Sequence, residues 1–357
     1  MDFTGKGIKN TGNTCFMNAI LQCLKYSLFG EHLIYHKSKF TGNLSSLFIR
    51  LIEELDNKSD NKIKQYGITL TQKNIFDIIN YHNRMVVVNQ DQIRPLNNST
   101  NQSEIFIPFE MKCLIEKKIQ KYKGHYMHDS IEFFVNFLSL LKEESIEMRI
   151  LIDNLFSIVI QTERIISTDK SNYQNIRGSF HFSQYLYDNR NTPKIEKEKF
   201  YHLELPLFDH NHRELDCIED CLKEYLKISS FKGNIFGQEK VNIVSISPIL
   251  VISLQRVYKG HHIDHFVDYP LDLDLSIFIN RNNNYNDFNS KNQFIYHLVG
   301  LVIHEGNEMA GHKISICFDK KYGKWLEFND EEVTVLSDPL NQGDVFILFY
   351  QQLKKIN

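Results

Sequence analysis

Apolar positions recur at helical spacing early in the chain and as short continuous or alternating runs later. Phe16, Ile20, Cys23 and Leu24 share one helical face behind Asn13 or Thr14 as a cap. Ile131, Phe134, Val135, Leu138 and Leu141 repeat that pattern behind Asp129. From about Leu155 the pattern changes to LFSIVIQTE, FYHLELPL, PILVISLQRV, YHLVGLVIH, HKISICF, KWLEF and DVFILFY, separated by turn residues, and these runs predict strands. Helices first and antiparallel strands afterwards predict an α+β architecture. The polar run from about Asp56 to Glu104 and the Asn-rich segment Asn280 to Asn292, RNNNYNDFNSKN, are too polar to nucleate a core, and read as loops or insertions.

Composition narrows the classes. The 357 residues carry 41 Lys+Arg against 44 Asp+Glu, a formal net charge of −3, which excludes a strongly basic nucleic-acid binder and implies no charge-steered partner. A length of this size admits two or three domains, or one large domain with subdomains. MDFTGKGIKNTGNTC has no apolar core of a signal peptide, and the apolar runs downstream are broken by Ser, Pro or charge, so no membrane span is expected. That points to the cytosol or nucleus, where Cys15, Cys23, Cys113, Cys217, Cys221 and Cys317 stay reduced. None forms a CxxC pair. Cys217 and Cys221 lie in LDCIEDCLKEYL, whose period suits a helix better than a zinc knuckle, so neither metal nor cofactor is expected.

Nucleophilic chemistry has one strong candidate. The segment from Gly5 to Leu24 is a glycine-rich turn feeding a helix with Cys15 in its first turn. Unpaired amides and the positive end of the helix dipole favour thiolate there. Cys23, further along that helix, reads as a small buried hydrophobe. A nucleophilic thiol needs a base and a group that orients the base. The strand-like run from His312 to Phe318, a turn over Asp319 to Gly323, and the return from Lys324 to Asp330 form a hairpin pattern. Centred between Lys320 and Lys321, it opposes His312 to Asn329, with Cβ atoms ~4.5–5.5 Å apart. A slip by one brings Asp330 opposite instead.

These segments resemble the Cys and His boxes of the ubiquitin-specific proteases. The likeness lies in the Gly-Asn-Thr-Cys15 block, in Tyr296 to Gly306, in Gly311-His312, and in Trp325-Leu-Glu-Phe-Asn329-Asp330. Weaker similarity fills His128-Asp129-Ser-Ile-Glu132-Phe133, Leu203-Glu-Leu-Pro206 and Pro248 to Arg256, and extends from Gly7 to Tyr350. The resemblance implies a papain-like hand in a single catalytic domain over 1–357: a helical thumb near 1–150, β fingers near 155–247 and an antiparallel β palm near 248–357. It implies Cys15 as nucleophile, His312 as base, Asn329 holding the ring, and Asn10 in the oxyanion hole. It also implies Asp129 and Glu132 near the arginines of the ubiquitin tail, with His304 and Gly306 on a loop bordering the tail channel and Gly311 among the substrate-binding residues.

Residue chemistry offers simpler readings for some of these. Asn10 also suits a turn before Thr11-Gly12, Asp129 with Glu132 suits a capping box, and His304 is a rival base without a partner at hairpin spacing. The implied partners are ubiquitin and ubiquitinated proteins, with no nucleic acid and no membrane; oligomeric state is not indicated. Two residues depart from the family pattern, Lys313 where a Tyr commonly follows the histidine and Met127 where a Gln is usual. The stretch Ser229 to Ser247 carries no CxxC, which implies fingers without zinc. A ubiquitin-binding scaffold without activity, a protease for another ubiquitin-like modifier, and an acyl transferase using the same triad are the competing expectations.

Overall fold

Every residue from Cys15 to Lys25 is buried, so the first helix lies inside the molecule, and the rest of the fold is arranged around it. The computed structural model describes residues 6–56, 103–167, 194–227, 229–231, 236–258, 261–279, 294–306 and 311–352. The Asn-rich stretch and all but the ends of the 56–104 run lie outside the described residues. Those ends are helical.

Six helices form the first layer: α1 (Cys15–Tyr26), α2 (Leu28–Tyr35), α3 (Asn43–Asp56), α4 (Ser103–Lys118), α5 (Ser130–Glu144) and α6 (Ile146–Phe156). Their ends are set by local chemistry. Ser27 separates α1 from α2, donating to the Leu24 carbonyl at 2.8 Å and accepting from the Phe29 amide at 3.2 Å. The Glu144 carboxylate caps α3 from a distance, accepting from the Leu44 and Ser45 amides at 2.6 and 2.9 Å. Asp129 caps α5 as expected, accepting from the Glu132 amide at 2.8 Å. The buried face of α5 carries Phe133, Phe134, Phe137, Leu138 and Leu141, whereas Ile131 and Val135 sit at its margin. Each fully buried side chain of this size contributes about 1.5–3 kcal/mol.

The strands are β1 (Ile158–Ser167), β2 (Lys194–Phe200), β3 (Leu203–Leu205), β4 (Ser229–Phe231), β5 (Phe236–Ile246), β6 (Ile249–Leu254), β7 (Val257–Tyr258), β8 (His261–His262), β9 (Asp272–Asp274), β10 (Ile295–Glu305), β11 (His312–Asp319), β12 (Lys324–Asn329), β13 (Glu332–Leu336) and β14 (Val345–Gln352). A helix α7 (Ile218–Tyr225) lies between β3 and β4 and holds Cys221, with Cys217 at its cap. The main sheet runs β13-β12-β11-β10-β14-β6-β3, with β9 added beside β10; its pairings are antiparallel except β3 on β6. A smaller sheet runs β2-β1-β5-β4, and β7 pairs β8.

The main sheet is covered on both faces. Ile249, Val251, Ile347 and Phe349 point into the cluster shared with α1, α5 and α6, while Leu250, Ile252, Leu348 and Tyr350 join a second cluster with α7 and Tyr269. Burial on both faces is why PILVISL and VFILFY read as continuous apolar runs rather than alternating ones. The smaller sheet is wetter: β2 is almost wholly exposed, and Arg164 on β1 forms ion pairs with Glu239 on β5 and, at 2.8 Å, with Glu196 on β2. Among the described residues no cluster of three or more His, Cys, Asp or Glu is placed to hold a metal ion. No described helix is long and apolar enough to cross a membrane.

The hairpin of β11 and β12 departs from its expected register. Ser315 pairs Phe328 and Asp319 pairs Lys324, which leaves residues 320–323 as a four-residue loop. The reason is the Asp319 side chain, which accepts from the amides of Lys321 and Tyr322 at 2.9 and 3.2 Å, while Gly323 closes the loop at φ +63°. The shift relative to expectation is two positions, so each side chain keeps its face. His312 is therefore diagonal to Asn329 rather than directly opposite it.

Candidate active site

Cys15 opens α1, with Thr14 as the cap residue. The Thr14 side chain does not cap the helix; its hydroxyl accepts from the Thr11 amide at 3.0 Å and donates to Asn10 Oδ1 at 3.2 Å. Asn10 Oδ1 also accepts from the Gly12 and Thr14 amides at 2.9 and 3.1 Å. This is the turn-forming role of Asn, and it fixes the approach to Cys15. Gly12 at φ +109° and Asn13 at φ +50° complete the turn, and a Cβ at residue 12 would collide with the His125 ring.

The other side of the site comes from the ends of β11 and β12. His312 Nε2 lies 2.8 Å from Asn329 Oδ1, and Asp330 Oδ2 lies 3.6 Å from the same nitrogen. With Nε2 engaged, Nδ1 is the ring nitrogen left for a thiol. The backbone of the next residue, Lys313, lies near enough to the Cys15 thiol to favour its thiolate, and α1 packs against β11. The chain thus brings Cys15 beside the strand that carries His312.

Asp330 joins the two sides. It occupies the left-handed region at φ +52° in the two-residue turn between β12 and β13. Its Oδ2 accepts from Asn10 Nδ2 at 2.9 Å, its Oδ1 accepts from Asn18 Nδ2 at 2.7 Å, and its carbonyl accepts from the Ile8 amide at 2.8 Å. Asn18 also donates to the Ile8 carbonyl at 3.1 Å. Asn18 was not singled out by the sequence reading. Its signal is a polar residue one turn after Cys15, on a helix face otherwise rich in apolar groups, and it is 3 % exposed.

The electrostatics differ from expectation at the thiol. Burial pushes the Cys15 thiol above its ordinary value and the Asp330 carboxylate adds to the rise, against the pull of the Lys313 and Phe16 backbones. The helix terminus expected to favour thiolate is outweighed by desolvation, so deprotonation depends on a neighbouring base.

Asp129 stands at the head of α5 beside a cavity of about 280 Å³, lined also by Glu204, Gln255, Arg256 and Phe346. Surrounding protein raises its carboxyl even though part of the side chain meets solvent, and Lys313 opposes that rise. Glu132 points outward and is ion-paired with Lys121. His304 lies on β10, paired in register with Lys313, and its ring packs against Phe346 and His262 with centroids 5.3 and 5.6 Å away. Gly311 makes room for that ring, since a Cβ there would collide with it. Cys15, Asn10, His312, Asn329 and Asp330 therefore form one cluster. Asp129, His304 and Gly311 lie around Lys313 and Phe346 beside it, and Glu132 faces away.

The buried first helix presents Cys15 to the end of the sheet that carries the His312–Asn329 pair. The chain belongs to the ubiquitin carboxyl-terminal hydrolase family, whose family model matches residues 6–350. It is 24 % identical over 400 residues to ubiquitin carboxyl-terminal hydrolase 2 of Bos taurus, covering 97 % of this chain and 54 % of that protein. It is 23 % identical over 375 residues to ubiquitin carboxyl-terminal hydrolase 8 of Saccharomyces cerevisiae, covering 98 % of this chain and 71 % of that one. The chain thus spans about half the length of the mammalian relatives it matches. Among solved structures, the SAGA Ubp8/Sgf11/Sus1/Sgf73 DUB module bound to ubiquitin aldehyde shares the fold with a TM-score of 0.68 at 19 % identity, over 98 % of this chain and 70 % of that one.

Proposed function

We propose that this chain is a deubiquitinating cysteine peptidase that hydrolyses the bond after the C-terminal glycine of ubiquitin. The observation that carries the reading is the His312 Nε2 to Asn329 Oδ1 contact at 2.8 Å, which leaves Nδ1 for the thiol at the head of α1. His312 takes the Cys15 proton as the sulfur attacks the glycine carbonyl. The C–S bond forms, and the tetrahedral oxyanion receives the Cys15 backbone N–H and the second N–H of Asn10, whose first is held by Asp330. The imidazolium returns its proton to the leaving lysine amine as the C–N bond breaks. Water then attacks the thioester with His312 as base, releasing ubiquitin with a free carboxylate and restoring the thiol.

Asn329 holds the ring orientation throughout, in the manner of the third member of a triad. Asp330 is read as the residue that positions Asn10 and the hairpin end. Asp129 is read as the carboxylate that meets a tail arginine, through charge-assisted hydrogen bonds. The six cysteines are free, which suits a reducing compartment such as the cytosol or nucleus.

The test is to mix the protein with ubiquitin bearing a C-terminal electrophile and follow intact mass, with Cys15→Ala as control. A one-to-one adduct that requires Cys15 is the expected result. Ubiquitin binding without an adduct would turn the reading toward an inactive scaffold, and neither binding nor adduct would turn it toward another modifier.

A further inference from the structure

Lys313 is 8 % exposed, yet its ammonium makes no hydrogen bond or ion pair within 4 Å among the described residues. It rests on the face of Phe346, with Nζ 3.4 Å from the ring centroid. The charged groups that face it are Asp129 at the head of α5, Asp344 before β14, Cys15 on α1 and Arg256 after β6, and His304 is its neighbour on β10. Asp344 is already committed: it accepts from His262 Nε2 at 2.6 Å and lies 3.3 Å from Arg256 Nε. Asp129 lines the same cavity as Phe346, the ring beneath the ammonium; among the described residues it accepts from the Glu132 amide of its own helix, Lys121 and His202 are the other cationic groups near it, and its attraction is the largest on Lys313.

We propose that Lys313 is a specificity-determining residue that acts as a built-in cation for Asp129, lowering the preference of the cleft for a substrate tail bearing arginine over one bearing a neutral residue. The inference rests on the reading of Asp129 as a tail-binding carboxylate. The physical reason is that one carboxylate cannot pair fully with two cations in a partly desolvated site. An incoming guanidinium must share Asp129 with the ammonium or displace it, whereas a neutral side chain loses nothing. Burial also lowers the lysine to about 8, so its charge is mostly present at pH 7 and mostly gone at pH 9. Discrimination then rises with pH across that window.

The experiment measures kcat/KM on fluorogenic ubiquitin and on the same substrate with a tail arginine replaced by alanine, at pH 7 and pH 9. It uses the unaltered chain, Lys313→Met and Lys313→Arg. Effects of Lys313 on the Cys15 thiol act on both substrates alike and cancel in the ratio. The arginine-to-alanine ratio is expected to rise roughly tenfold in Lys313→Met at pH 7. It should rise by a similar factor in the unaltered chain between pH 7 and 9, and stay low at both in Lys313→Arg, which keeps its charge. If Lys313→Met fails to fold, the contrast in pH profile between the unaltered chain and Lys313→Arg decides the matter. Equal ratios throughout, with cleavage intact, would overturn the role of Lys313 alone. Absence of cleavage of either substrate by the unaltered chain would overturn the ubiquitin reading and this inference with it.

Discussion

The two ends of the cleft are built differently. At the cysteine, residues far apart in the chain are locked by short hydrogen bonds: Asn10 and Asn18 to Asp330 at 2.9 and 2.7 Å, and His312 to Asn329 at 2.8 Å. Around Asp129 the partners are looser, with a lysine held over a ring and a carboxylate that, among the described residues, accepts from an amide of its own helix. Short directional bonds fix positions to within a fraction of an ångström, while through-space charge tolerates displacement. The first end is therefore suited to chemistry that depends on orientation, and the second, on the function proposed above, to tuning which tail is accepted.

The contrast can be broken by substitution. The largest effect is expected for His312→Ala, which removes the base while leaving a half-exposed position, and kcat on a ubiquitin substrate should fall by about 10²–10⁴ with ubiquitin affinity retained. A loss below tenfold would undo the assignment. Next comes Asp330→Ala, which strands the Asn10 and Asn18 amides; each unpaired buried donor costs about 1–3 kcal/mol, read in a denaturant titration beside the loss of kcat. Asp330→Asn should recover part of that stability.

A third measurement sharpens the account of the thiol. In a His312→Ala background the rate of Cys15 alkylation should rise with pH through a value above that of a free cysteine, about 8.5, because burial and Asp330 both raise the thiol. Adding Asp330→Ala should move that value down. The smallest effect belongs to Glu132→Gln. Its exposed ion pair with Lys121 is worth less than about 1 kcal/mol, so both unfolding and KM should change by less than about fivefold in the corresponding constants.

Much of this was legible from the chain because local rules act strongly there. The helix behind Cys15, the cap at Asp129 and the doubly buried strands follow from periodicity and burial. The polar strand β2, KIEKEKF, was not legible, because nothing in its pattern distinguishes an exposed sheet edge from a loop. The β11–β12 register was missed by two positions since the Asp319 side chain, which builds a longer loop, left no mark on the apolar pattern. The face survived because a shift of two preserves alternation. The elevated thiol and the role of Asn18 depend on what packs above α1, which only the tertiary fold supplies.

The place of β14 has a consequence for how the molecule is made. It is the last of the described strands in the chain, yet it sits between β10 and β6, near the middle of the main sheet. The bond from Asn10 to Asp330 likewise spans 320 positions. At translation rates of about 5–20 residues per second, Cys15 precedes Asp330 from the ribosome by roughly 15–60 s. During that interval Cys15 lies apart from Asn329 and Asp330, and the facing edges of β6 and β10 stay unpaired until β14 follows. Such non-local closure makes folding slow.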